Sequence, residues 1–122
     1  MTRKLKFRVW NPYTKSFTTG DLLHKENNKL IRKSDDGLYI EQYTGLKDEN
    51  GKEIYEGDIV KVKFERISEY LMADVCFGNG CFVGVYDNEK NGYGYICENL
   101  SRLEMIAPIE VVGNIHENPE LV

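Results

Sequence analysis

Gln42-Tyr43-Thr44-Gly45-Leu46-Lys47-Asp48-Glu49-Asn50-Gly51-Lys52-Glu53-Ile54-Tyr55-Glu56-Gly57-Asp58-Ile59-Val60 is the stretch whose reading decides the fold. Leu38 to Tyr43 leads into it as a strand, with Leu38, Ile40 and Gln42 on one face and Tyr39, Glu41 and Tyr43 on the other. Gly45 ends that strand. Asp48 to Lys52 is a tight turn, because Asn50-Gly51 readily takes the positive φ angles of a type I′ turn. Gly57-Asp58 makes a second reversal, in which the aspartate can accept from nearby backbone N–H groups. Tyr43, Leu46, Ile54 and Tyr55 can then pack across the turn. Alternation resumes from Ile59 to Phe64, with Val60, Val62 and Phe64 opposite Ile59, Lys61 and Lys63. Gly45, Asn50, Gly51, Gly57 and Asp58 thus form a structural turn motif, and folding alone accounts for each of them.

The same period of two recurs outward from this segment. Lys4-Leu5-Lys6-Phe7-Arg8-Val9 reads as a half-buried strand, broken by Asn11-Pro12, and Lys15-Ser16 leads into Phe17-Thr18-Thr19. The amino end is therefore a hairpin. Residues 20 to 37 are polar and read as a long surface loop, with at most a short strand at Leu30-Ile31. Further strands fall at Leu71 to Phe77, Cys81 to Tyr86 and Glu110 to Ile115, the first two joined by Gly78-Asn79-Gly80. A softer turn, Asp87 to Gly92, follows the second. Glu98 to Met105 reads as the one helix, with Ser101 and Glu104 in capping-box spacing. Asn118-Pro119 ends the last strand, since proline cannot donate to a ladder. Short, turn-punctuated strands predict an all-β, mostly antiparallel fold rather than a parallel α/β sheet. The expected form is a small barrel or sandwich, SH3-like in its barrel character, with at most one short helix.

A chain of 122 residues fits one domain, 1–122, because a second would bury too little surface of its own. With 41% hydrophobic and 30% charged residues, it belongs with folded chains rather than disordered ones. A net charge of −4 argues against broad, sequence-independent binding to nucleic acid, which needs clustered cations. A local basic patch of Arg3, Lys4, Lys6 and Arg8 stays open. No apolar run approaches the roughly 20 residues that cross a bilayer. The amino end lacks the apolar middle of a signal peptide, so the expected location is the cytoplasm, away from any membrane.

No grouping of residues points to catalysis, a cofactor or a metal. Cys76, Cys81 and Cys97 are odd in number and stand among apolar residues, which predicts reduced buried thiols. They lack the paired close spacing of a zinc site, even with His24 or His116 added. Asp48-Glu49-Asn50 fails the EF-hand pattern and reads as a solvated turn. Asp35-Asp36 and Asp58 lack a clear carboxylate partner, and neither histidine lies in a nucleophile motif. Gly92-Tyr93-Gly94-Tyr95, helped by Tyr86 and Phe82, could form a stacking platform for single strands. A strand and its turn explain it as well.

The opening segment, taken with Val112-Gly113-Asn114-Ile115 and Glu117-Asn118-Pro119-Glu120-Leu121, resembles the YopX family of bacteriophage and prophage proteins from Gram-positive bacteria. Phe7-Arg8-Val9-Trp10 resembles that family's start, although a small residue more often stands where Val9 does. Between Arg66 and Pro108 only the general strand pattern is shared. The resemblance implies a phage-borne, intracellular all-β protein that self-associates. It implies no activity and carries over no functional residues.

These readings converge on an accessory protein of a phage or prophage in its bacterial host. It would act through protein contacts as a homo-oligomer, with phage or host proteins as further partners, and without enzymatic activity or a cofactor. The alternative is a small-barrel nucleic-acid binder in phage replication or regulation.

Overall fold

The computed structural model describes residues 6–19, 38–64, 66, 68–78, 80–87 and 95–122. The loop expected over residues 20–37 lies outside the described residues, as do Arg3, Lys4, His24 and Gly92 to Gly94. The chain divides into two compact units, Met1–Tyr43 and Thr44–Val122.

In the first unit, β1 (Phe7–Asn11) is flanked by β2 (Ser16–Thr19) and by the first part of β3 (Tyr39–Lys47), both antiparallel to it. Asn11 belongs to β1 and does not break it. Its Oδ1 accepts the Tyr13 and Thr14 N–H groups at 2.9 and 3.3 Å, so its side chain starts the turn into β2. The register sets Arg8 opposite Glu41 and Trp10 opposite Phe17. Cross-strand neighbours of this kind are where a sheet gains stability. Arg8 Nε donates to Glu41 Oε1 at 2.9 Å in a buried ion pair, and its guanidinium lies 4.2 Å from the Phe17 ring centre. Trp10 and Phe17 stack at a tilt, 4.8 Å apart.

In the second unit, the remainder of β3, Thr44–Lys47, neighbours β4 (Glu53–Tyr55). A five-stranded antiparallel sheet follows, built from β5 (Asp58–Phe64), β6 (Glu69–Gly78), β7 (Cys81–Asp87), β8 (Tyr95–Asn99) and β9 (Ile109–Asn114). Its spatial order is β8-β7-β6-β5-β9, and it curls into half a barrel. The predicted faces of β5 hold. Val60 and Val62 enter a core with Ile54, Ala73, Val75 and Ile109, while Lys61 and Lys63 stay half-exposed. The all-β, mostly antiparallel class is thus the observed one.

The single α-helix among the described residues, α1 (Leu100–Ile106), starts two residues later than predicted. Its cap is Asn99, whose side chain accepts the Arg102 N–H at 3.2 Å; Ser101 lies inside the helix. Asparagine caps through its carbonyl oxygen as well as serine does through its hydroxyl. Leu100 and Leu103 turn to the core, where a methyl of Leu103 sits 3.0 Å from where a Cβ on Gly84 would stand. A Cβ at Gly84 would also meet the Ala73 Cβ at 3.4 Å, so the Leu103 side chain would have to give by a few tenths of an ångström.

Two boundaries differ from expectation. Gly45 lies inside β3 with φ +86° and does not end it. The Thr44 hydroxyl spans the distortion, accepting from the Leu46 N–H at 3.1 Å and donating to the Ile54 carbonyl at 2.7 Å. At the other end, β9 stops at Asn114, well before Pro119, which instead opens a 3-10 turn, Pro119–Leu121. Asn114 makes the stop. Its Oδ1 takes the His116 and Glu117 N–H groups at 3.0 and 2.9 Å, while Asn118 N–H bonds its carbonyl at 2.8 Å.

Candidate functional site

The turn 48–52 is built around one carboxylate. Asp48 Oδ1 accepts the N–H groups of Asn50 and Lys52, each at 2.9 Å, and Oδ2 accepts that of Val111 in β9, also at 2.9 Å. The turn is not type I′. Gly51 alone takes a positive φ, +81°, and its N–H bonds the Asp48 carbonyl at 3.0 Å, so Asn50 keeps an ordinary backbone. This is a three-residue loop, Glu49 to Gly51, closing on a left-handed glycine, the next commonest way to connect a hairpin. Nor is Asp48 solvated, since the residue is 8% exposed. Burial pushes its pKa up, but the N–H groups of Val111, Lys52 and Asn50 and the charge of Lys52 outweigh that and lower it.

These bonds clip the turn to the outer edge of β9. Glu49 N–H completes the clip by donating to the Ile109 carbonyl at 2.9 Å. Lys63 then bridges two carboxylates, Glu110 at 2.8 Å and Glu49. Its bonds to Glu110 and then Glu49 raise its pKa above the ordinary lysine value.

Facing the turn stands the carboxyl end of α1. Leu100 and Leu103 occupy the core side of the helix, and Glu104, Met105 and Ile106 are exposed. Met105 is 85% exposed and Ile106 61%. Ala107 leaves the helix in extended conformation, with its N–H on the Leu103 carbonyl, and Pro108 leads into β9. Between Lys47–Glu49 and residues 104–109 lies an open groove of about 470 Å³. Its lining is apolar from Met105 to Ile109 and charged at Lys47, Asp48, Glu49 and Glu104.

The five residues of the turn motif fall on separate structural tasks. Gly45 distorts β3, and Asn50 and Gly51 shape the Asp48 turn. Asp58 is buried and accepts the Tyr55 N–H at 2.8 Å, while Gly57, with φ +83°, donates its N–H to the Val75 carbonyl. None of the five lines the groove.

Other candidates fare differently. Arg8 is buried against Glu41 and adds nothing to an exposed basic patch. Phe82 and Tyr86 pack against the core, and burial, then the charge of Glu98, raises the Tyr86 pKa. Neither ring stands out as a platform. Cys76 and Cys81 are free thiols, half-buried rather than buried, and Cys76 Sγ donates to Asp74 Oδ2 at 3.2 Å. Among the described residues no group of three or more His, Cys, Asp or Glu could hold a metal ion. No helix among them is long and apolar enough to cross a membrane.

Sequence reasoning missed Met105 and Ile106. The signal was present: two large apolar residues close a short helix whose inward positions are already filled by Leu100, Leu103 and Ala107.

A mostly antiparallel β protein with one short helix and a surface groove is the class this geometry defines. The YopX protein family matches residues 6–122, and the chain belongs to that family. Protein EF1440 from Enterococcus faecalis shares the fold with a TM-score of 0.68 at 24% identity, over 98% of this chain and 99% of that one. The yopX protein from Bacillus subtilis shares it at 0.60 and 23% identity, over 96% and 97%. No curated protein matches the chain.

Proposed function

We propose that this chain is a phage- or prophage-encoded accessory protein that works by protein contacts in the cytoplasm of the bacterial host. It self-associates, and it does so without catalysing a reaction. The observation that carries this reading is the amount of large apolar side chain left in solvent on the second unit. Tyr70 and Phe77, toward the two ends of β6, are each 58% exposed. Scattered apolar residues are normal on a surface. Aromatic residues and methionine, however, are the types enriched where proteins meet. Tyr70 is held by Lys61, whose ammonium lies 4.3 Å from the ring centre, and Phe77 packs edge-on to Phe82 at 5.2 Å. Both rings are thus presented in fixed positions, which lowers the entropy lost on binding. Membership of the YopX family supports the phage setting.

Light scattering coupled to size separation tests the reading. Self-association predicts a mass above that of the monomer, and a monomer at the highest concentration reached would overturn it. Titration with labelled single- and double-stranded oligonucleotides at low salt is the second arm. Binding that weakens steeply with salt would favour a nucleic-acid binder instead.

A further inference from the structure

Asn50 and Gly51 stand exposed at the tip of the Asp48 turn, and the Asn50 side chain has no hydrogen-bond partner among the described residues. Asparagine followed by glycine has a reaction of its own. The glycine nitrogen can attack the asparagine side-chain carbonyl carbon, because no Cβ on the glycine blocks the approach. The new N–Cγ bond closes a succinimide while the Cγ–Nδ2 bond breaks, and Nδ2 leaves as ammonia with the glycine N–H proton. Water then opens one or other of the two imide C–N bonds, which gives aspartate or isoaspartate. The reaction needs no oxidant, reductant or enzyme.

In this turn the attacking nitrogen is engaged. Gly51 N–H donates to the Asp48 carbonyl at 3.0 Å. On either side of it, the Asn50 and Lys52 N–H groups are fixed on Asp48 Oδ1, each at 2.9 Å. Oδ2 ties the same carboxylate to Val111 in β9. Attack requires the Gly51 N–H to be freed and the backbone around Asn50 to turn, so it proceeds from an opened turn.

We propose that Asn50 is a site of spontaneous deamidation whose rate is set by the Asp48 clip, which holds the turn closed. A segment of this kind opens locally without unfolding the rest of the chain. When opening and closing are fast beside the chemistry, the rate follows the open fraction. The two products differ in effect. Aspartate at this position places a charge on a side chain that makes no hydrogen bond. Isoaspartate runs the backbone through the former side chain and lengthens it by one carbon. Asp48 Oδ1 then loses the paired placement of the two N–H groups, and the clip to β9 loosens. This site stands independently of the protein-contact reading above.

Peptide mapping by mass spectrometry on the full chain, sampled over time at mildly alkaline pH, tests it. The chain carries two further Asn-Gly pairs, Asn79-Gly80 and Asn91-Gly92, whose conversion is read in the same samples. A free peptide with the sequence of residues 47–53 gives the unguarded rate. Asn50 converts on the order of tenfold more slowly in the wild type than in the peptide, and Asp48→Asn recovers much of that difference. The same variant leaves the rates at Asn79 and Asn91 unchanged, which separates a local opening from a loss of the whole fold. The isoaspartate form, isolated by chromatography, melts below the unmodified protein, whereas Asn50→Asp melts with it. A wild type as fast as the peptide, an Asp48→Asn variant no faster than wild type, or a rise shared equally by all three sites overturns the proposal. An isoaspartate form as stable as the unmodified chain overturns the loosening of the clip.

Discussion

Removing the Asp48 carboxylate strands three backbone N–H groups, those of Asn50, Lys52 and Val111. Asp48→Asn keeps one acceptor oxygen and puts a donor where the other stood, which is expected to cost about 1–3 kcal/mol in urea unfolding. The pH dependence has a definite sign. The folded-state pKa lies below the ordinary 3.8, so the stabilisation is complete above that value and is lost as pH falls through the folded-state pKa. Between pH 7 and pH 3 the wild type should therefore lose more stability than Asp48→Asn. Parallel losses would show that the carboxylate is not the clip. Gly113 makes a second residue-scale case. A Cβ there would stand 2.5 Å from Asn118 Oδ1 and 2.8 Å from its Cγ. Gly113→Ala should cost about 1–3 kcal/mol, as overpacking does, and adding Asn118→Gly should recover much of it.

Among the elements, β1 and β3 hold the buried pair of Arg8 and Glu41. Glu41→Ala leaves the Arg8 charge without this partner and should cost about 3–5 kcal/mol, while Arg8→Met with Glu41→Leu should come close to wild type in thermal melting. An equal loss from the single and the double change would refute that account. At α1, Asn99→Ala should cost about 1 kcal/mol. Ser101→Ala should stay within about 0.5 kcal/mol, because Ser101 is exposed and caps nothing. The opposite ranking would restore the capping box that the spacing suggests. These two residues show what the sequence could and could not convey. Alternation located β5, β6, β7 and β9 because each has one buried face, and a period of two survives in the order of residues. It could not place the start of α1, since Asn99 and Ser101 are both good caps and only the packing of Leu100 and Leu103 chooses between them. The short β4 carries three residues, too few for a period to register. Gly45 read as a stop because glycine weakens a strand, whereas the Thr44 hydroxyl lets the strand continue past it. The groove was illegible for a different reason: its two sides are more than fifty residues apart in the chain and meet only through the Asp48–Val111 and Glu49–Ile109 bonds.

At the scale of the whole molecule, the proposed contacts depend on which side chains the core leaves outside. Ile54, Val60, Val62, Ala73 and Leu100 are sealed from solvent, so the second unit has its own apolar core. Tyr70 and Phe77 remain outside it on the same strand, seven residues apart, which by alternation puts them on opposite faces of the sheet. Each face can therefore be tested on its own. Sedimentation of the wild type, Tyr70→Ser and Phe77→Ser over a range of concentrations is the most direct trial. The account predicts a wild-type mass that rises above the monomer with concentration and falls back in at least one of the two variants. A wild type that stays monomeric throughout would contradict it.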